Sequence, residues 1–181
     1  MSERSQKILI LILISISESV FGVDLEQGFR NLTRHQAWMS VEVTVPLTGM
    51  FIASRAATED KRKNATLAFT MSPKNGRCQE SMEVIFDVES ELSEDLNREG
   101  LIEVQVDSCR PLHLPGKIAA STGDHFVFFQ LENPTLVKEV SNGKELLINV
   151  RGLGFANFSL AGFGKAWKNI NNTCKGFSMS G

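Results

Sequence analysis

Seven consecutive residues, Asp107-Ser108-Cys109-Arg110-Pro111-Leu112-His113, put a carboxylate, a thiol and an imidazole close together. Such a trio offers ligands to a soft or borderline metal ion. A thiol ligates only while it is reduced, so this stretch turns on the redox state of Cys109. The chain has three histidines, His35, His113 and His125. None of them lies in a His-Glu-x-x-His helix, and the chain has neither a Gly-x-Ser-x-Gly elbow nor a phosphate-cradling glycine loop. A hydrolase would have to assemble its triad from distant residues. No catalytic, cofactor-binding or metal-binding residue is assigned on these grounds, and no cofactor is expected.

The redox question leads to the amino terminus. Arg4 and Lys7 precede an aliphatic run over residues 8–14, and the polar Ser15, Ser17, Glu18 and Ser19 follow. That order of basic, apolar and polar regions is the plan of a secretory signal peptide. The run is shorter than the ~20 apolar residues that cross a bilayer. Small residues permit cleavage after Ser17 or after Gly22, and the second is preferred. The expectation is a signal peptide over 1–22 and a single domain over 23–181, with no membrane span after cleavage.

Outside the cytoplasm, two of Cys78, Cys109 and Cys174 are expected to bridge. Three pairings are possible. Cys78 with Cys109 is favoured, since each sits at the far end of what reads as one hairpin. Their strand parities differ, which demands a bulge or a frayed end, because opposed residues share a face. Cys109 with Cys174 is the alternative. Either bridge removes Cys109 from the metal-like cluster.

A net charge of −2 gives no electrostatic footprint for nucleic acid. The one basic cluster, Lys61-Arg62-Lys63, follows Glu59-Asp60 and reads as a solvated loop. Tyrosine is absent, which counts against an aromatic sugar-binding platform. Four sequons begin at Asn31, Asn64, Asn157 and Asn171. The one at Asn157 falls in an apolar strand, a poor place for a glycan.

The elements that must position these groups are mostly strands. Residues 23–36 have Leu25, Phe29 and Leu32 at helical spacing, which suggests a short helix or turn. From Ala37 the period becomes two, with Met39, Val41, Val43 and Val45 on one face. Further strands are expected over 50–57, 67–71, 79–88, 101–108, 118–121, 125–131, 144–151 and up to about residue 160. Asn75-Gly76 is the strongest turn signal. Residues 89–100 read as an acidic connection or a short amphipathic helix, and 111–116 as a break in regular structure. Asn133-Pro134 and Gly143 bracket a short helix, and Phe163, Trp167 and Ile170 mark one face of a terminal helix. The fold class expected is mainly β: an antiparallel β-sandwich or partly open barrel of about 8–9 short strands with one or two short helices, the last at the C-terminus.

The C-terminal third runs Phe126-Val-Phe-Phe, Leu136-Val, Ser141-Asn-Gly-Lys-Glu-Leu-Leu-Ile and Phe158-Ser-Leu-Ala-Gly-Phe-Gly-Lys-Ala-Trp167. This resembles the invasion-associated locus B family of exported bacterial proteins, in which a Leu-x-Gly-Phe-x-x-Ala corner leads into the last helix. Leu160, Gly162, Phe163 and Ala166 are the matching positions. The resemblance implies a periplasmic or secreted protein linked to host-cell association, with no established catalytic site. The expected function is a non-enzymatic binding or accessory protein with a protein partner in the envelope or on a host cell. The alternatives are a secreted inhibitor of a lysozyme or protease, using a disulfide-closed loop over 110–116, and a small exported hydrolase.

Overall fold

The computed structural model describes residues 28–60, 62–88, 91–131 and 136–178. The signal peptide expected over 1–22 lies outside them. Ten antiparallel strands form one sheet: β1 (Phe29–His35), β2 (Trp38–Thr44), β3 (Phe51–Asp60), β4 (Ala65–Lys74), β5 (Arg77–Asp87), β6 (Leu96–Val106), β7 (Leu112–Ala120), β8 (Phe126–Leu131), β9 (Glu145–Val150) and β10 (Gly154–Ser159). Two helices accompany them among the described residues, α1 (Leu136–Asn142) and α2 (Phe163–Ser178). The strand order is β1-β2-β3-β4-β5-β8-β7-β6-β9-β10.

The mainly β expectation therefore holds, with one sheet in place of a two-layer sandwich. Alternation along the strands sends every second side chain to one shared interior. Phe69, Val84, Phe129, Ile118, Val104, Ile148 and Phe158 come from seven different strands and belong to one core cluster. α2 packs on the inner side against β2, β3, β4 and β5. It contributes Phe163, Ala166, Ile170 and Cys174 to the core. The sheet rolls far enough that β10 meets the end of β3, where the Asn157 amide donates to Asp60 Oδ2 at 2.8 Å. No backbone ladder joins the two strands, so the roll stays open.

Several local expectations are met. Asn75 and Gly76 both take positive φ, and Lys74 pairs with Arg77 around them. Leu136 and Val140 face inward from α1, and Phe163 and Ile170 from α2. Three expectations need correction. Residues 29–35 form strand β1 and no helix; it is an edge strand with a bulge between Arg30 and Thr33, and Leu32 is exposed. Helical spacing has no meaning on such a strand. The supposed connection at 89–100 is strand from Leu96 onward, laddered to Ala120. The supposed break at 111–116 belongs to β7. Pro115 is tolerated there because β8 reaches β7 only at Lys117, Ile118 and Ala119, so the missing N–H removes no ladder bond on that side.

The disulfide expectation is also corrected. Cys78 bonds Cys174, and Cys109 is a free, exposed thiol. Neither the pairing of Cys78 with Cys109 nor that of Cys109 with Cys174 forms. The two strands read as one hairpin are not neighbours: β8 and β7 lie between β5 and β6. The parity of Cys78 was the better guide. It shares the inward face of Met82, Val84 and Phe86, and that face meets α2, which carries Cys174.

Candidate functional site

The residues singled out in the sequence do not come together. Asp107 serves the backbone: its Oδ1 accepts from the amides of Lys144 and Glu145 at 3.0 and 2.9 Å. These bonds hold its carboxyl below the ordinary range. Cys109 and Arg110 sit with Asp107 at a hollow of about 340 Å³ beside the end of α1. His113 is on β7, opposite Glu103 of β6. His125 precedes β8 and lies 3.8 Å from Glu91. His35 ends β1, where its Nε2 is 2.9 Å from Ser40 Oγ. That last pair has the elements of a nucleophile and its base. Yet Ser40 is 0% exposed and its Oγ accepts from Asn169 of α2 at 2.8 Å. It anchors the helix to β2. The segment 110–116, expected as a disulfide-closed inhibitory loop, is largely strand, and the disulfide lies elsewhere.

The Leu160–Ala166 corner is architectural, as its composition suggested. Gly162 has φ 92°, and a Cβ there would lie 1.9 Å from the carbonyl oxygen of His35. Only glycine fits. Leu160, Phe163 and Ala166 are buried around it. Trp38 is fully buried, stacks edge-on against Phe163, and donates from Nε1 to Ser159 O at 2.9 Å.

A different group of residues lines a cleft of about 800 Å³. It lies on the outer face of the sheet, and strand register builds it. Arg55, Thr70 and Ser81 are aligned across β3, β4 and β5. The next row aligns Ala57, Ala68, Glu83, Gln130, Lys117 and Glu99 across β3, β4, β5, β8, β7 and β6. Arg55 therefore reaches Glu83 diagonally across β4, where Ala68 has no bulk to obstruct it. The Arg55 Nη2 donates to Glu83 Oε2 in a buried ion pair. Gln130 Nε2 donates to the other oxygen, Oε1, at 3.3 Å. Arg55 is only 2% exposed and Glu83 7%, whereas Gln130, Lys117 and Glu99 are exposed. The cleft thus has a buried charged floor and a polar rim.

The floor is electrostatically incomplete. Burial pushes the Arg55 guanidinium below its usual range, and Glu83 offsets this by charge and hydrogen bond. The side chain stays protonated regardless. Its Nε is buried with no hydrogen-bond partner among the described residues. A buried donor left unpaired costs about 1–3 kcal/mol. Sequence reading missed this site because Arg55 and Glu83 each look like ordinary surface charges on alternating strands. Their meeting depends on the pairing of three strands, which local pattern does not encode.

No family model matches the chain, and no curated protein does. Among solved structures, the chain is similar to invasion associated protein B from Bartonella henselae, with 13% identity, a TM-score of 0.49, and coverage of 81% of this chain and 99% of that one.

Proposed function

We propose that this chain is an exported, non-enzymatic binding protein that works in the periplasm or outside the cell. The Cys78–Cys174 bond carries the location. Disulfides persist in oxidising compartments and are rare in a reducing cytosol. The bond ties the terminal helix to β5 and is part of the fold. The apolar run over residues 8–14 supplies the export signal. No described helix is long and apolar enough to cross a membrane. The outer-face cleft supports binding: it is concave, polar at the rim, and has buried charge at its floor. The partner is a protein of the envelope or of a host cell surface, or a smaller ligand presented by one.

Expression of the full chain in a Gram-negative host tests the location. The expected product is extracytoplasmic, begins at Val23 or Glu18, and yields a Cys78–Cys174 linked peptide in a non-reducing digest. A reduced, cytosolic product that starts at Met1 would overturn the proposal.

A further inference from the structure

We propose that the cleft floored by Arg55 and Glu83 binds a carboxylate group, with the Nε–H of the Arg55 guanidinium as its anchor. This deepens the binding reading above and rests on it. Three observations favour an anion. The unpaired atom is a donor, Arg55 Nε, so the missing partner is an acceptor. The cleft wall carries three cations, Arg55, Arg98 and Lys117, against two carboxylates, Glu83 and Glu99. And one carboxylate does not fully offset the burial of Arg55, whose acidity still shifts in the direction set by desolvation.

A carboxylate suits this fork better than a larger anion. A planar guanidinium meets a planar carboxylate in parallel hydrogen bonds. Glu83 already takes Nη2, which leaves the Nε–H for one carboxylate oxygen and not the full fork that a dianion would use. Gln130 and Lys117 continue from Glu83 toward solvent in one row, at about 4.8 Å per strand. They face whatever chain the carboxylate terminates. The carboxylate can belong to a small free acid or to the carboxy terminus of a polypeptide.

The test uses the mature chain, residues 23–181, labelled with nitrogen-15 on arginine. A buried Nε–H gives a slowly exchanging side-chain signal. Acetate, tri-alanine and tri-alanine amide are titrated separately. The expected result is a saturable shift of the Arg55 Nε–H signal with acetate and tri-alanine, and none with the amide. Tri-alanine binding at least tenfold tighter than acetate identifies a polypeptide terminus; equal affinities identify a small acid. Lys117→Gln, at an exposed position, should weaken the tighter ligand severalfold with the fold intact. Arg55→Lys, if it folds, should bind tri-alanine at least tenfold more weakly by isothermal titration calorimetry, because lysine has no Nε–H donor. An Nε–H signal unmoved at saturating carboxylate, or moved equally by the amide, would overturn the carboxylate assignment. Export and the disulfide would stand untouched by that outcome.

Discussion

Asp60, the last residue of β3, accepts through Oδ2 from the backbone amide of Asn157 in β10, 97 residues away in the chain. Its other oxygen accepts from the Arg62 amide at 3.1 Å. Asp60 is 5% exposed, and it joins the two parts of the sheet at the point where the roll fails to close. An edge strand leaves unpaired amides, and here a side chain satisfies one of them. Replacing Asp60 with Ala strands a half-buried amide, which costs about 1 kcal/mol, the low end of the range for a fully buried donor. Asp60→Asn keeps an acceptor and should lose less than half as much. Urea unfolding of the three proteins checks this, and equal stability of wild type and Asp60→Ala would remove the seam role.

The disulfide makes a second prediction. It closes a loop between residues 96 positions apart. In the chain-entropy account, a loop of that order stabilises by about 4–5 kcal/mol. Cys78→Ser and Cys174→Ser should each lower stability by a large part of that, and reduction of the wild type should do the same. Under native, non-reducing conditions a thiol reagent should label Cys109 alone. Cys109→Ser should then abolish labelling and leave stability within about 0.5 kcal/mol, as for an ordinary surface change. Labelling of Cys78 or Cys174 in the untreated protein would contradict the observed pairing.

These two cases show what could be read from sequence. The inward parity of Cys78, the Asn75-Gly76 turn, the helix that ends before Gly143 and the apolar face of α2 are local patterns, and the structure keeps them; the Asn133-Pro134 start expected for that helix lies outside the described residues. Partner choice between strands is not local. β5 pairs with β8 and β6 with β9, so the apparent hairpin of β5 and β6 does not exist. Every reading that assumed it failed with it, including the Cys78–Cys109 bridge and the disulfide closure of segment 110–116. The Arg55–Glu83 floor was hidden for the same reason. β2 uses both faces: Val41 and Val43 are buried on the outer side, while Trp38 belongs to the core and Ser40 meets α2.

Asp107 gives a pH-dependent prediction. Its carboxyl is held below the ordinary 3.8 by the amides of Glu145 and Lys144, with a smaller contribution from the Lys144 charge. A depressed folded pKa means the contribution to stability is present above the unfolded pKa. It is lost as pH falls through the folded value. The stability gap between wild type and Asp107→Ala should therefore be constant near neutrality and close below about pH 4, near the reference carboxylate pKa. Denaturant titrations at a series of pH values would show it. A gap independent of pH down to 2 would mean that the two amide bonds contribute nothing through ionisation.

Gly162 provides the most stringent test of the C-terminal corner. Its φ of 92° and the 1.9 Å approach to His35 O combine two separate penalties for any side chain. The backbone strain alone costs about 1–3 kcal/mol, and the clash forces apart β1 and the turn into α2. That turn also carries the Ala37 amide bond to Ala161 O at 3.1 Å and the Trp38 bond to Ser159 O. Gly162→Ala should lose more than about 3 kcal/mol or fail to fold. Gly164, two residues on and inside α2, has open space at Cβ and no positive φ, so Gly164→Ala meets neither penalty. It should be neutral or stabilising by up to about 1 kcal/mol, the helix-propensity difference. Thermal unfolding of the pair separates a specific steric requirement at Gly162 from a general need for glycine in this segment. Equal behaviour of the two variants would refute the steric account.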